Sequence, residues 1–134
     1  MSENIEVLKG KILTGIVGKV GDEEMMFTTD DGEKYRMFHY QDCCESVTIE
    51  DIVGDLNDLV GSPIIEAEEV SHASDQKDLP DDLKTDSESY TWTFYKLGTA
   101  KGFVTIRWFG ESNGYYSEGV DFKRIFDNGP ITVR

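Results

Sequence analysis

A histidine and two adjacent cysteines lie close together in the segment FHYQDCCES, and these residue types often hold metals or act as nucleophiles. His39 and Cys43 have a spacing that allows a thiolate–imidazole pair. A zinc site is disfavoured because a Cys-x-x-Cys pair is missing and successive strand residues, here Cys43 and Cys44, point to opposite faces. Asp42 and Glu45 also oppose the positive surroundings that activate a thiol. The sequence therefore predicts two buried structural cysteines, with a nucleophilic or metal-binding role as the alternative.

Carboxylates are concentrated in the middle third of the chain. The net charge is -14, and residues 42–88 carry fifteen of the 27 acids but only two basic residues. No calcium loop is predicted, because the segment that begins at Asp55 lacks the EF-hand pattern. We therefore expect no metal ion and no cofactor. Such a surface keeps a protein soluble or faces a basic partner, and it repels free nucleic acid. The predicted partner-binding acids are Asp42, Glu45, Glu50, Asp51, Asp55, Asp58, Glu66, Glu68 and Glu69.

A second candidate site is the aromatic and polar segment TIRWFGESNGYYSEG, residues 105–119. Its aromatic rings could stack on a planar ligand, and Arg107 could pair with an anionic group. Strand alternation places Arg107 on one face and Trp108 on the other, and Asn113-Gly114 is typical of a hairpin turn. A well-packed hairpin without a ligand is the alternative. The predicted ligand-binding residues are Arg107, Trp108, Glu111, Asn113, Tyr115 and Tyr116.

Alternating apolar and polar residues, with many β-branched and aromatic side chains, predict the elements that position these candidates. Residues 4–20 are interpreted as one long or bent strand. It opens a three-stranded meander with a hairpin turn at Asp31-Gly32. A second meander is predicted in the C-terminal part, from Tyr90 to Ile125. The expected fold is one mainly-β domain over 1–134, with seven or eight antiparallel strands in a sandwich or partly open barrel.

Two irregular segments interrupt this pattern. A short helix is predicted near 55–60, with Asp55 as its N-cap and Gly61 in a left-handed cap. Residues 71–89 are rich in acids, contain a proline and show no periodicity, so an exposed acidic loop is predicted there. No apolar run has the roughly 18 to 20 residues of a membrane helix, and the N-terminus lacks the features of a signal peptide. A cytoplasmic location is therefore expected.

The segments QDCCESVTIEDIVGDLNDLVGSPIIEAEEVS and TWTFYKLGTAKGFVTIRWFGESNGYYSEGVDF resemble a family of small acidic proteins from bacteriophage and prophage genomes. The similarity extends from Leu8 to Phe122, and the family has no assigned function. The resemblance implies a phage-encoded accessory protein in the cytoplasm of the bacterial host. It implies no catalytic residues, because the family offers none.

These observations predict a binding protein rather than an enzyme. The leading hypothesis is a counter-defence protein that sequesters a nucleotide-derived immune signal through the segment around Arg107, as a homo-oligomer. The alternative is an acidic inhibitor that mimics nucleic acid and occupies the channel of a host nuclease, as some anti-CRISPR proteins do. An enzyme that uses Cys43 or Cys44 with His39 is the third hypothesis. None of the three predicts direct binding of nucleic acid or a membrane.

Overall fold

The computed structural model describes residues 3–41, 44–74, 89–112 and 118–125. Within these ranges the chain forms eight antiparallel strands in two four-stranded sheets, which do not close into a barrel. The predicted mainly-β fold is therefore confirmed. Within the same ranges, no helix has the length and apolarity that crossing a bilayer requires.

The first sheet has the strand order β1-β2-β3-β8. Its strands are β1 (Leu13–Val17), β2 (Glu24–Thr29), β3 (Lys34–Phe38) and β8 (Asp121–Ile125). The predicted N-terminal meander is confirmed, and its β2–β3 turn contains Gly32 with a positive φ of 87°. Glycine adopts this left-handed conformation at little steric cost, which explains the tight turn.

The second sheet has the strand order β4-β7-β6-β5. Its strands are β4 (Ser46–Val53), β5 (Glu66–Ser74), β6 (Ser89–Thr99) and β7 (Gly102–Ser112). β6 and β7 form a long hairpin that pairs from Thr99 and Gly102 to Ser89 and Ser112. These strands are longer than those of the first sheet.

The prediction of a single strand over residues 4–20 is wrong for its first part. Ile5–Leu8 form a 3-10 helix, and the Asn4 side chain accepts a hydrogen bond from the backbone N–H of Glu6 at 2.9 Å. Ile5 and Leu8 are both fully buried. Residues three apart lie on the same side of a 3-10 helix, so this turn directs both side chains into the core.

The predicted C-terminal meander is also wrong in its last strand, because β8 leaves β7 and pairs with β3 in the other sheet. Phe122 stacks on Tyr35 with ring centroids 5.3 Å apart and meets the edge of Phe27 at 5.9 Å. Burial of these rings between the sheets stabilises the crossover. Alternation identified the strand but contains no information about its partner.

The predicted short helix is confirmed in place and is a 3-10 helix, Leu56–Leu59. Asp55 is its N-cap and accepts a hydrogen bond from the backbone N–H of Asn57 at 2.9 Å. The predicted loop 71–89 begins too early and ends one residue late, because β5 continues to Ser74 and β6 starts at Ser89. β-Pairing with β6 keeps residues 71–74 extended despite their polarity. Positions 75–88 lie outside the described residues.

The core lies between the two sheets. Trp108 of β7 is fully buried, and its indole N–H donates to the Met37 sulfur of β3 at 3.2 Å. The Tyr95 hydroxyl oxygen of β6 lies 3.4 Å from the Val120 carbonyl oxygen. The two 3-10 helices contribute Ile5, Leu8 and Leu59 to the same core. Removal of this apolar surface from water is the main term that stabilises the sandwich.

Candidate functional site

His39 is part of a buried clamp between three segments. Its Nε2 lies 2.7 Å from Glu45 Oε2, and its Nδ1 lies 2.8 Å from the Gly119 carbonyl oxygen. The two side chains are 3% and 0% exposed. A carbonyl oxygen only accepts, so the contact with Gly119 requires a hydrogen on Nδ1. His39 therefore holds the end of β3 against the segments before β4 and β8.

The cysteine predictions depended on a strand through the CC pair, and this segment is not a strand. β3 ends at Phe38 and β4 begins at Ser46, so strand parity does not apply between them. Cys44 is exposed and disulfide-bonded, which contradicts the prediction of a buried free cysteine. Cys43 and Asp42 lie outside the described residues. In the described ranges no group of three or more histidine, cysteine or acidic side chains is arranged to hold a metal ion.

An open cleft of about 900 Å³ lies where the open end of the β2–β3 hairpin approaches the start of β4. Three consecutive acids, Asp22, Glu23 and Glu24, form one wall. The other walls are formed by residues from the end of β3 and from β4: Arg36, Phe38, His39, Tyr40, Gln41 and Val47. The turn before β2 is fixed to β4 by two backbone hydrogen bonds, from Gly21 to Ile49 at 2.8 Å and from Ile49 to Asp22 at 2.9 Å.

Arg36, which lines the cleft, already has an acidic partner. Arg36 Nε lies 2.6 Å from Glu24 Oε1, and its guanidinium lies 4.0 Å from the centre of the Phe38 ring. Asp22 Oδ2 accepts a hydrogen bond from the Lys19 backbone N–H at 3.0 Å. Glu23 is exposed. The three acids outnumber Arg36, so the cleft carries a negative potential that favours a cationic group.

Sequence reasoning missed this cleft, although the hairpin contained the signal for it. The turn at Asp31-Gly32 fixes a register in which Glu24 pairs with Phe38 and Met26 pairs with Arg36. The acids belong to the segment GDEE, residues 21–24, whose composition is typical of a turn that leads into β2. Extending the predicted hairpin register would have placed its acids beside the arginine and aromatic residues of β3.

The predicted ligand-binding residues of the RWFG segment are divided by the second sheet. Arg107 is half-buried on the outer face, while Trp108 is in the core between the sheets. The sheet therefore separates the Arg107 guanidinium from the Trp108 indole, as alternation predicted. Glu111 lies near the end of β7, opposite Tyr90. The remaining predicted ligand residues, Asn113, Tyr115 and Tyr116, lie outside the described residues.

A small aromatic cluster covers part of the outer face of the second sheet. The Phe109 ring lies 5.7 Å from Tyr90 and 4.6 Å from Trp92, between centroids. The Arg107 guanidinium lies 5.1 Å from the centre of the Trp92 ring. This arrangement is an arginine and aromatic platform, and it consists of residues from β6 and β7 rather than from β7 alone.

Two acids of the predicted partner-binding set neutralise Arg107. Arg107 Nε donates to Glu50 Oε1 at 2.7 Å, and Asp51 Oδ2 lies 3.7 Å from its terminal nitrogen. A break in the β4–β7 register between Ile49 and Asp51 leaves Glu50 in a bulge, which brings both acids near the guanidinium. Glu45, a third member, is buried against His39. These residues do not form an uncompensated acidic surface.

The other described members of that set lie around the second 3-10 helix and on β5. Asp55 is the N-cap of this helix, and the Asp58 backbone carbonyl accepts a hydrogen bond from the Thr99 hydroxyl. Glu68 and Glu69 are exposed, and Glu66 is half-buried at the start of β5. The nine predicted acids are therefore spread over several surfaces.

Glu69 has an environment unlike that of the other acids on β5. Although the residue as a whole is exposed, partial desolvation of its carboxyl raises its pKa above the ordinary glutamate range, and a hydrogen bond from Tyr95 opposes this shift. Burial also raises the pKa of the Tyr95 hydroxyl well above its usual value, and the nearby Glu69 charge adds to the effect. Both groups lie near Val120 and Asp121, at the junction of the two sheets.

Comparison with known proteins identifies one family. Its model, described as a domain of unknown function (DUF7448), matches residues 6–122. No curated protein and no solved structure matches the chain. The chain belongs to the DUF7448 family, and the predicted membership in a family without an assigned function is confirmed at that level.

Proposed function

We propose that this member of the DUF7448 family is a phage-encoded binding protein without catalytic activity. It acts against host defence in the bacterial cytoplasm, by capturing a basic segment of a host protein in the acidic cleft. The observation that supports this proposal best is the wall of three consecutive acids beside aromatic residues in a cleft of about 900 Å³.

The charges of the cleft suit a guanidinium or ammonium group. Glu24 and Arg36 neutralise each other at 2.6 Å, which leaves Asp22 and Glu23 to meet an incoming cation. Tyr40 is 71% exposed and provides an aromatic face on which such a cation can stack. Arginine fits this combination best, because it makes charge-assisted hydrogen bonds and also stacks on rings.

The proposal keeps the acidic-inhibitor hypothesis and moves its binding surface. The predicted acids Glu45, Glu50 and Asp51 are occupied by His39 or Arg107. The cleft acids come from the GDEE segment, and at least Glu23 projects into solvent. An inhibitor of this type would occupy a nucleic-acid-binding surface of the host protein, where basic side chains are concentrated.

A nucleotide-type ligand is the second candidate, and the platform of Arg107, Trp92 and Phe109 favours it. A flat base could stack beside Trp92, and the guanidinium could pair with a phosphate. Such a ligand would compete with Glu50 and Asp51, which already hold Arg107. This competition makes the platform less suited to an anion than the cleft is to a cation.

Fluorescence anisotropy with a labelled peptide of alternating arginine and glycine residues tests the leading proposal. Glu23→Lys should weaken binding about tenfold or more, because it reverses the most exposed charge of the cleft. The matched control is Asp30→Lys, which makes the same charge change at an exposed position of the β2–β3 turn outside the cleft. We expect an effect of less than about twofold for this control.

The outcomes separate the two candidates. Equal weakening by both variants would show general attraction to an acidic protein and would overturn the cleft proposal. Absence of peptide binding would also overturn it. Calorimetry with cyclic dinucleotides and ADP-ribose measures the second candidate, and heat that disappears in Arg107→Ala would support it instead.

A further inference from the structure

β5 differs from the other edge strands of the two sheets in its backbone hydrogen bonds. The 3-10 helix Ile5–Leu8 contacts this strand, but among the described residues no segment hydrogen-bonds to its outer edge. β5 pairs with β6 in an unbroken register of nine residue pairs, from Glu66 with Gly98 to Ser74 with Tyr90. In the described ranges the backbone of residues 66–74 makes hydrogen bonds only to β6 and none on the opposite side. An edge of this length is a template for another strand.

The other three edges are covered by local segments. The turn before β2 bonds to Ile49 of β4 at 2.8 and 2.9 Å. Gly61 donates to the Leu13 carbonyl of β1 at 2.9 Å. Glu3 covers β8, since its backbone N–H donates to Phe122 at 2.5 Å and its side chain accepts from the Arg124 N–H at 3.0 Å. Hydrogen bonds thus protect these three edges, whereas in the described part of the chain the outer backbone edge of β5 has none.

The sequence of β5 provides little protection of its own. Residues 68–73 are all exposed. The strand has no lysine, no proline and no bulge, so its glutamates are the one device against edge pairing that it contains, with Glu69 on the inner face opposite Tyr95. Its carboxylates, Glu66, Glu68 and Glu69, lie in the first half, and the second half, VSHAS, contains no acid.

We propose that β5 pairs antiparallel with β5 of a second copy of this chain, around a two-fold axis at Ser71. The second sheet of one copy and the second sheet of the other, each of four strands, then form one continuous eight-stranded sheet. A two-fold axis is the commonest symmetry of homodimers, and strand addition at an open edge is an established mode of recognition.

Charge is compatible with this register and excludes others. With the axis at Ser71, Glu69 of one copy opposes Ala73 of the other, and Glu68 opposes Ser74. The two Glu69 residues are then four residues apart along the pair, about 14 Å at about 3.4 Å per residue, beyond the screening length of about 8 Å. An axis at Glu68 or Glu69 places identical carboxylates opposite each other, which destabilises the pair.

The outer face of this sheet is also compatible with the pairing. Val70 and His72 pair with Phe94 and Trp92 of β6. In the dimer Val70 opposes His72 of the other copy, so the two strips of apolar and aromatic side chains become continuous. The cleft lies beside β4, at the opposite edge of the same sheet, and stays accessible in both copies. Dimerisation and peptide binding at the cleft can therefore fail independently.

Sedimentation equilibrium of the full chain from about 5 to about 500 µM tests the proposal. The expected result is a concentration-dependent transition from 15.1 kDa to twice this mass. Ser71→Glu places two carboxylates opposite each other at the axis and should leave only monomer. Ser71→Lys alone should also weaken the dimer, whereas a mixture of the two variants should restore it, because opposite charges then face each other. Val53→Lys is the matched control, since Val53 is an exposed position on the β4 edge.

Hydrogen exchange gives a second readout on the unmodified chain. Amides of residues 68–74 should become more protected as the concentration rises, while those of β4 should not change. A monomer throughout the range would overturn the proposal. So would a dimer that resists Ser71→Glu and is lost in Val53→Lys, because it would then use another edge.

Discussion

The inner and outer faces of the second sheet have similar aromatic residues in very different settings. On the inner face Trp108 is fully buried and donates to Met37 of the opposing sheet. On the outer face Phe109 packs against Tyr90 and Trp92, and Arg107 lies over Trp92. The inner face is held by a second layer of structure, whereas the ring contacts of the outer cluster, within the described residues, join side chains of β6 and β7. Similar residue types therefore stabilise the fold on one face and provide a platform on the other.

The largest expected difference between the faces is in aromatic truncation. Trp108→Ala should lower the free energy of unfolding by about 3–5 kcal/mol, because it leaves a cavity between two rigid sheets. Trp92→Ala is the control on the outer face and should cost at least about 1 kcal/mol less, since Trp92 is only partly buried. Urea denaturation of both variants measures the difference. Equal losses would show that the outer cluster is as tightly packed as the core.

The inner face should also resist added volume. A Cβ atom at Gly110 would lie 2.6 Å from the Glu118 carbonyl oxygen, so Gly110→Ala forces the backbone to move. We expect a loss of about 1–3 kcal/mol in the free energy of unfolding. Gly15→Ala is the control, because no atom lies within 4 Å of its Cβ position. Thermal unfolding followed by circular dichroism distinguishes them, and a similar loss in both would contradict close packing at Gly110.

Two threonines on the inner face should respond in opposite directions to valine. The Thr93 hydroxyl oxygen is buried and has no hydrogen-bond partner among the described residues, so Thr93→Val should stabilise the protein by about 1 kcal/mol. The Thr91 hydroxyl donates a hydrogen bond to Glu118 Oε1 at 2.7 Å. Loss of this hydroxyl leaves the buried Glu118 carboxylate with one donor fewer. Thr91→Val should therefore destabilise by about 1–2 kcal/mol. Guanidinium unfolding of the two variants provides the test, and a shift in the same direction would contradict it.

The smallest effect is expected at Glu69, at the border of the inner face. Burial raises its folded-state pKa, so the native state holds this proton to a higher pH than the unfolded state does. This group's contribution to stability therefore falls as the pH rises from the ordinary glutamate value to the raised one. Glu69→Gln should remove that slope between about pH 4 and pH 7 and add about 0.5 kcal/mol or less at neutral pH, because solvent screens an exposed group. The free energies of unfolding of the unmodified protein and of Glu69→Gln, measured at about pH 4 and about pH 7, test this prediction. Glu68→Gln is the control.

Local patterns predicted much of the fold correctly. The meander β1–β3, the turn at Gly32 and the N-cap at Asp55 depend on neighbouring residues, and all three are confirmed. The opposite faces of Arg107 and Trp108 follow from the same local geometry. The 3-10 helix Ile5–Leu8 was missed because its apolar spacing also fits a bent strand, and only burial of both side chains distinguishes the two.

The candidate site was less accessible to such reasoning. His39 is paired with Glu45 nearby in the sequence, but its other partner, Gly119, is 80 positions away. The cleft joins the β2–β3 hairpin to β4, and these elements belong to different sheets. The hairpin register places the acids of the cleft beside Arg36 and Phe38. The position of β4, which completes the cleft, depends on the packing of the two sheets.

The sequence by itself determined the strands, the tight turns and the excess of carboxylates, because each depends on side chains within a few residues of one another. Only the tertiary structure decided that β8 pairs with β3, that the GDEE acids line a cleft, and that β5 has an open edge. Strand pairing depends on which surfaces together remove the most apolar area from water and satisfy their backbone hydrogen bonds. That choice involves the whole chain, so alternation along a single strand does not contain it.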